Sequence, residues 1–166
     1  MKYYLGVDPG QNGYLTVMSE DQSEIFSFPI PRVKEKVDEL KLCELFDDLM
    51  KLNIVHCCIE DVHSVFGASA KSNWSFGYIV GFLTCNLITS KIPFTRVQPK
   101  VWQKELWQGI PLIKKDKNTD TKTMSLFAAE RLFPNYNLLR TSRCKTPDDN
   151  LVDSLLIAEY CRRHFK

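Results

Sequence analysis

The N-terminal third of the chain alternates between short apolar runs and turns, a pattern that predicts three strands and then a helix. Residues 2–7 form an apolar run that stops at Asp8-Pro9-Gly10, a combination typical of a tight turn. Further runs at 14–18 and 24–28 predict two more strands, so we expect an antiparallel meander. Over residues 37–52 the apolar positions recur three and four residues apart, which predicts an amphipathic helix.

The remainder of the chain predicts two more strands and further helices. Short apolar runs at 54–59 and 94–97 predict strands, and residues 73–89 between them predict a long helix. The C-terminal part is helical in pattern, with a lysine-rich loop at 108–119 and helices predicted over 98–107, 120–132 and 147–163. This order of elements predicts an α/β fold, in which a five-stranded sheet of mixed strand direction is flanked by helices.

Length and composition predict an ordinary folded protein. With 166 residues, of which 44% are hydrophobic and 25% charged, we expect one globular domain over 1–166. No apolar run approaches the roughly 20 residues that cross a membrane. The N-terminus has no signal-peptide pattern, so we expect a cytoplasmic protein without a membrane partner. The six cysteines lack metal-binding spacing and predict reduced thiols in the core.

The net charge of +2 is too small to indicate nucleic-acid binding by itself, but the lysines are unevenly distributed. One polar stretch contains a cluster of them, namely Lys114, Lys115, Lys117 and Lys122. Such a cluster is either a solvated face or a contact surface for a polyanion. At this level both interpretations stay open.

Three acidic residues stand where the surrounding pattern is apolar. Asp8 ends the first predicted strand, Glu60 ends the fourth, and Asp153 lies within the last predicted helix. Ligand sites gather at strand ends, and an unpaired carboxylate among apolar residues is costly. Carboxylates brought together repel one another unless a cation or a shared proton compensates. Their hard oxygen atoms suit Mg²⁺ or Mn²⁺, and two such ions can promote hydrolysis of a phosphodiester.

Each acid also has a simpler interpretation. Asp8 before Pro-Gly is a common turn former, and Glu60 can mark a strand that meets solvent. The segment Thr146-Pro147-Asp148-Asp149 has the pattern of an N-cap, proline at the first helical position and acids in the first turn. Capping does not account for Asp153. Because Asp149 and Asp153 are four residues apart, they share a helix face and can bind one metal ion together.

Several segments resemble, in order, those of the RuvC-type Holliday junction resolvases. The first hairpin of that family, where an Asp-Pro-Gly turn carries the first metal ligand, is similar to GVDPGQNGYLTV. Its second acidic strand, loop and long helix are similar to CCIEDVHSVFGASAKSNWSFGYIVGFL. The next two segments resemble VQPKVWQKEL and TKTMSLFAAERLFP, and the last motif of the phage-type branch resembles DDNLVDSLLIAEYCRR. The matches extend over nearly the whole chain.

The resemblance implies a ribonuclease-H-like fold and a homodimeric endonuclease that nicks two strands of a four-way DNA junction symmetrically. Asp8, Glu60 and Asp153 occupy the family's acidic positions. For the fourth ligand, the phage-like pattern points to Asp149, whereas cellular members place theirs at the position of Asn150. We prefer Asp149, since a carboxylate is the better Mg²⁺ ligand. The implied cofactor is Mg²⁺, with Mn²⁺ as a substitute, at two ions per active site.

The resemblance also implies positions that contact branched DNA. Basic family positions near the scissile phosphate match Lys122 and, more loosely, Lys100 and Lys104, where a lysine would bind a phosphate oxygen. Each is otherwise a solvated helix lysine. Phe66 lies in the loop that reaches into the junction, where its ring either wedges between bases or caps the core. From the lysine cluster itself, we expect Lys114, Lys115 and Lys117 to belong to the DNA-binding surface as well.

The long second helix carries several aromatic residues and, four residues apart, Gly77 and Gly81. Its aromatic residues are Trp74, Phe76, Tyr78 and Phe82. We expect their side chains to divide between the core and the dimer interface, where the two glycines would allow close helix approach.

The same residues also bear on three other functions. A flap or general branched-DNA endonuclease on this fold would use the same acids, so the sequence barely separates it from a resolvase. An actin- or sugar-kinase-like ATPase also opens with an Asp-Gly-rich hairpin, but it needs two such domains, which 166 residues cannot supply. A non-catalytic junction-binding protein would not require a buried acid such as Asp153. The phage-type motif further implies DNA recombination and repair in the cytoplasm of a bacterial host.

Overall fold

A computed structural model describes residues 1–61, 67, 69–116 and 118–165 of the chain. The strands in this part are β1 Tyr3–Asp8, β2 Tyr14–Ser19, β3 Ile25–Pro29, β4 Arg32–Val33, β5 Lys36–Val37, β6 Ile54–Glu60, β7 Phe94–Val97, β8 Lys114–Lys115 and β9 Asn118–Thr119. The helices in the same part are α1 Glu39–Leu49, α2 Ala70–Thr89, α3 Pro99–Leu106, α4 Thr121–Leu132 and α5 Asp149–His164.

Five of these strands form one mixed sheet, in the order β3-β2-β1-β6-β7. β1 pairs antiparallel with β2, and β2 with β3, as the predicted meander requires. β6 lies parallel to β1 on its other side, and β7 lies parallel to β6. The predicted five-stranded sheet of mixed direction is therefore confirmed. Its parallel part matters for function, because the carboxyl ends of parallel strands meet at one edge.

Helices cover both faces of the sheet, because side chains alternate between two hydrophobic clusters along the central strands. In β1, Tyr4 belongs to a cluster that also contains residues of α3, α4 and α5. Its neighbours Leu5 and Val7 belong to a second cluster, with residues of α1 and α2. Both faces of β1 are thus buried, which accounts for its nearly unbroken apolar sequence.

Helix α5 crosses β1 in close contact. A β-carbon added at Gly6 would lie 2.2 Å from the backbone nitrogen of Ala158, so only glycine leaves room for the helix. Nearby, the hydroxyls of Ser154 and Thr16 on β2 are hydrogen-bonded at 2.7 Å. These two contacts fix the position of α5 on the sheet, and with it the residues of its N-terminal turns.

The predicted start of this last helix was wrong. α5 begins at Asp149, and its N-cap is Asp148, not Thr146. The Asp148 carboxylate accepts hydrogen bonds from the backbone N–H groups of Asn150 and Leu151, at 3.0 and 3.4 Å. A carboxylate that accepts from two backbone donors outcompetes the threonine as a cap. The side chain of Asp149 is therefore not used for capping.

Helix α2, of 20 residues, buries one side and exposes the other. Ile79, Leu83 and Leu87 are buried in the cluster that contains Leu5, whereas the side chain of Trp74 is 75% exposed. Neither α2 nor any other helix in the described ranges combines the length and hydropathy needed to span a membrane.

The two short hairpins, β4–β5 and β8–β9, were not predicted. The first lies between β3 and α1, and the second lies inside the predicted lysine-rich loop. Each strand has two residues, which is too short to show a hydrophobic period.

Candidate active site

Asp8 and Glu60 lie on neighbouring strands at one edge of the sheet. Asp8 is the last residue of β1, and Glu60 is the last residue of β6. The two strands are parallel, and Val7 pairs with Ile59 immediately before the two acids. The sheet topology therefore brings together two carboxylates that are far apart in sequence.

Helix α5 adds Asp153 to this edge. Asp153 directly precedes Ser154, whose hydroxyl is bonded to Thr16. Besides burial, the charges of Asp8 and Glu60 raise the pKa of Asp153, so the three carboxylates lie within electrostatic reach of one another. The three acids singled out in the sequence therefore meet, although they come from β1, β6 and α5.

Burial makes all three carboxyls hold their protons more tightly. Burial raises the pKa of Asp8 to about 6, and the charge of Asp148 adds to this rise. The hydrogen bond of 3.0 Å from the Gly10 N–H acts in the opposite direction and lowers the pKa. Burial and then the charge of Asp8 raise the pKa of Glu60 to about 7. For Asp153 the same two causes raise the pKa to about 8. Ionising all three near pH 7 costs free energy, which a bound cation would offset.

Glu159, further along α5, is a buried carboxylate that differs from the three site acids, because basic side chains compensate its charge. It is 1% exposed, and burial alone would raise its pKa, yet hydrogen bonds from Arg162, Arg163 and Gln22 outweigh burial and lower it. The two arginines reach its oxygens at 2.7 to 2.9 Å. Among the described residues, no lysine or arginine forms an ion pair with any of the three site acids. These acids lack the compensation that Glu159 has.

The chemistry of these side chains fits a hard divalent cation, because carboxylate oxygens are the ligands that Mg²⁺ and Mn²⁺ prefer. No three His, Cys, Asp or Glu side chains within the described ranges form a group that could hold a metal ion as they stand. Asp8, Glu60 and Asp153 would therefore have to come closer together to share one ion.

Trp102 is a site residue that no pattern in the sequence singled out. Val97 of β7 pairs with Glu60, and α3 begins at Pro99, just after that strand. The fully buried Trp102 thereby reaches the site, where its indole Nε1–H donates to Glu60 Oε1 at 3.0 Å. Its place in VQPKVWQKEL was the available signal, but a buried tryptophan in a short helix is ordinarily a core residue.

Ser125 of α4 plays a similar part for Asp153. It is buried, and its hydrogen bond to Asp153 opposes the rise in pKa that burial causes. The segment TKTMSLFAAERLFP contains it, but nothing in the local pattern distinguishes it from an ordinary helix serine.

Lys122 and Asp149 form an ion pair at the rim of the site. Lys122 Nζ lies 2.6 Å from Asp149 Oδ2, and the two side chains are 73% and 47% exposed. The hydrogen bond and charge of Asp149 raise the pKa of Lys122, and the charge of Asp153 adds to this shift. Both predicted residues therefore lie close to Asp153, where they compensate each other.

Asn150, the alternative fourth ligand, lies near Asp8 instead. A β-carbon added at Gly10 would lie 3.3 Å from Asp8 Oδ1 and 3.8 Å from Asn150 Oδ1, so both oxygens border the same small space. The two alternatives for the fourth ligand thus stand on different sides of the site.

The other predicted DNA-contacting lysines lie further out. Lys100 and Lys104 are exposed and share one face of α3, about 200° around the helix from the inward-facing Trp102. They therefore point away from Glu60. Lys114 and Lys115 are exposed in β8, whose partner strand β9 directly precedes α4 and Lys122. The remaining two, Phe66 and Lys117, lie outside the described residues.

The architecture can be compared with known proteins. No family model and no curated protein matches the sequence. Among solved structures, T. thermophilus RuvC in complex with a Holliday junction substrate is similar, with a TM-score of 0.61 and 14% identity over 95% of this chain and 90% of that one. A second Thermus thermophilus RuvC structure has a TM-score of 0.59 and 14% identity, over 94% and 90%. The chain therefore has the ribonuclease-H-like fold of RuvC, and identity this low shows the fold alone.

Proposed function

We propose that this protein is a divalent-metal-dependent DNA endonuclease that resolves four-way junctions by paired, symmetric nicks. The observation that carries this proposal is the meeting of Asp8, Glu60 and Asp153 at one sheet edge, without a lysine or arginine ion pair in the described ranges. The fold is shared with RuvC, which was solved in complex with a Holliday junction substrate. The resemblance to the phage-type branch extends the proposal to DNA recombination and repair in a bacterial cytoplasm.

The proposed metal ligands are Asp8, Glu60, Asp149 and Asp153, with Asn150 as the alternative to Asp149. They would hold Mg²⁺, or Mn²⁺ as a substitute, at two ions per site. Bound there, the ions would supply an activated water molecule and stabilise the leaving oxygen of a phosphodiester. Their positive charge would relieve the repulsion among carboxylates that burial makes costly to ionise.

Neighbouring donors orient these carboxylates before the substrate arrives. The Gly10 N–H holds Asp8 Oδ1, and the Trp102 indole holds Glu60 Oε1, each at 3.0 Å. The Ser125 side chain lowers the pKa of Asp153, against the effect of burial. Holding one oxygen of Asp8 and one of Glu60 reduces the conformational entropy that is lost when the ligands gather.

Lys122 is proposed to bind an oxygen of the scissile phosphate. Its ion pair with Asp149 is exposed, and exposed pairs contribute only about 0–1 kcal/mol, so the partners exchange readily. Once released from Asp149, Lys122 would bind the phosphate, where its charge would stabilise the negative charge that develops.

The proposed DNA-contacting surface continues outward from Lys122. It comprises Lys114 and Lys115 of β8, Lys100 and Lys104 of α3, and the undescribed Phe66 and Lys117. Exposed lysines of this kind contact phosphates without reading sequence.

A homodimer is proposed because paired nicking needs two active sites, and α2 has a face suited to self-association. Six exposed residues recur at helical spacing on the side opposite Leu83, namely Trp74, Gly77, Tyr78, Gly81, Cys85 and Ile88. A β-carbon added at Gly77 or Gly81 would meet nothing within 4 Å, so a second helix can approach there closely. An exposed apolar stripe of this length supports an interface between two copies.

The proposed function is tested by incubating the protein in Mg²⁺ with a synthetic four-way junction, a linear duplex, a flap and a replication fork. We expect paired symmetric nicks confined to the junction. Asp8→Asn and Glu60→Gln should abolish cutting while junction binding survives, because the fold and the basic surface remain.

Each alternative function has its own outcome in this experiment. Preferential trimming of the flap would indicate a broader branched-DNA endonuclease. Junction binding without cutting, in Mg²⁺ and in Mn²⁺, would indicate a non-catalytic binding protein. Full activity in either variant would refute the proposed metal site.

A further inference from the structure

A groove with a volume of about 560 Å³ opens between the β4–β5 hairpin and the first turns of α2. Its lining includes Gln11, Arg32, Lys34, Glu35, Lys71 and Ser72. We propose that this basic groove binds the phosphate backbone of a DNA strand that runs to or from the active site. This inference rests on the proposed nuclease function and adds to it a substrate contact on the face of the sheet opposite to Lys122.

The basic groove adjoins the turn that carries Asp8. Arg32 Nη1 donates to Asn12 Oδ1 at 2.7 Å, and the Ile30 N–H donates to the Gly13 carbonyl at 2.9 Å. These bonds attach the start of the hairpin to the turn between β1 and β2, whose Gln11 also lines the groove. A strand lying in the groove would therefore leave it beside the Asp8 carboxylate.

The charges in the basic groove favour a polyanion. Arg32, Lys34 and Lys71 oppose a single acid, Glu35, and none of the three cations forms an ion pair within the described part of the chain. The guanidinium and ammonium groups that line the groove are donors that suit phosphate oxygens.

The position of the groove complements the basic residues on the other side. Helix α2 packs on the face of the sheet that buries Leu5, whereas α4, which carries Lys122, packs on the face that buries Tyr4. Cations thus flank the carboxylates on both sides of the sheet edge. This arrangement is needed because the carboxylates themselves repel DNA, and flanking cations supply the attraction.

The test removes two positive charges from the groove and, in a matched control, two from elsewhere. Lys34 has a φ of 57°, in a region that asparagine also accepts, so the groove variant is Lys34→Asn with Lys71→Ala. The control is Lys91→Asn with Lys51→Ala. Lys91 has a φ of 54° and follows α2 at its far end, about 30 Å from the groove along the helix.

Binding of each protein to a synthetic four-way junction is measured in EDTA over a range of KCl concentrations. We expect the groove variant to bind roughly 10–30-fold more weakly at physiological salt, with a log K against log [KCl] slope smaller by about 2. The control should keep the wild-type slope and affinity. Equal thermal stability of the two variants would show that both are folded.

The possible failures are distinguishable. A wild-type slope in the groove variant, with a wild-type protein that binds and cuts the junction, would overturn the basic groove alone. A wild-type protein that neither binds nor cuts DNA would refute the nuclease function as well. A third outcome is a groove variant whose salt dependence of DNA binding is unchanged but whose sedimentation coefficient differs from that of the wild type. It would indicate that the groove contacts a second copy of the chain, and it would also overturn the inference.

Discussion

The indole N–H of Trp102 donates a hydrogen bond of 3.0 Å to Glu60 Oε1, and it joins a fully buried core residue of α3 to a carboxylate at the end of β6. Burial and the charge of Asp8 raise the pKa of Glu60, and this bond opposes them. The Trp102 hydrogen bond thereby favours the ionised form of an acid that the proposed chemistry needs as a metal ligand.

Trp102→Phe removes this donor while retaining an aromatic ring. We expect the pKa of Glu60 to rise further, so that the cutting rate falls about tenfold at pH 7 and recovers towards pH 9, as higher pH restores the carboxylate. A pH–rate profile at fixed Mg²⁺ concentration measures this. The matched control is Trp107→Phe, because the Trp107 indole N–H is buried without a hydrogen-bond partner among the described residues. A pH profile displaced equally in both variants would show that lost packing, rather than the lost bond, is responsible.

Asp153→Asn should stabilise the metal-free protein at alkaline pH. The pKa of Asp153 rises from 3.8 to about 8 on folding. Between these values the unfolded chain has lost a proton that the folded protein keeps, so folding stability falls as pH rises through this window. The amide removes that cost, and we expect a gain on the order of 2 kcal/mol at pH 8.5 that disappears near pH 4. Denaturant unfolding in EDTA at both pH values measures it.

Glu159→Gln is the opposite case on the same helix. Folding lowers the pKa of the Glu159 carboxyl. The stabilisation that it gains from Arg162 and Arg163 is therefore present above the pKa of the unfolded state, and it is lost as the pH falls through the pKa of the folded state. We expect a loss of about 3 kcal/mol at pH 8.5, since Arg162 and Arg163 are left without their carboxylate. If Asp153→Asn were destabilising to a similar degree, Asp153 would be a structural residue.

The fourth metal ligand is tested by comparing Asp149→Asn with Asn150→Ala. Asn150→Ala removes a weak hydrogen bond, 3.4 Å long, from Asn150 Nδ2 to Asp148 Oδ1. Both variants keep the Asp148 carboxylate and the backbone donors that it caps, so stability should change by less than about 1 kcal/mol in each. If Asp149 completes the site, the cutting rate of Asp149→Asn falls by about 100-fold or more, which is a common effect of removing a group that stabilises charge in the transition state. The rate of Asn150→Ala then stays near that of the wild type. The reverse result, measured as single-turnover cleavage, would assign the position to Asn150.

Gly81→Glu tests the proposed dimer. Gly81 is exposed within α2, and glutamate has a helix propensity better than that of glycine by roughly 0.5 kcal/mol, so the isolated subunit should be as stable as wild type. A charge in the middle of the apolar stripe should nevertheless dissociate the dimer. Sedimentation velocity measures the change, with Met50→Glu as a control at an exposed apolar residue outside α2. A wild-type sedimentation coefficient for Gly81→Glu would contradict the proposed interface.

Local patterns in the sequence predicted most of the architecture. The spacing of apolar residues identified every strand of the main sheet and every helix in the described ranges, usually within a few residues of their ends. This works because burial of one face imposes a period on consecutive residues. The error at the start of α5 was also local, since Thr146 and Asp148 are both good capping residues and the sequence does not show which one faces the helix end.

The sequence by itself determined the order of the elements and singled out Asp153, because a carboxylate inside an apolar helix face is costly wherever the helix packs. Tertiary structure alone decided which residues meet. The parallel pairing of β6 with β1 put Glu60 beside Asp8, and the close crossing of α5 over Gly6 brought Asp153 to them. Tertiary packing also decided that Trp102 donates a hydrogen bond to Glu60 and that Lys122 forms an ion pair with Asp149. Such contacts join residues that are distant in the chain, and their geometry depends on how whole helices and strands pack. The local spacing of apolar residues contains no information about that packing.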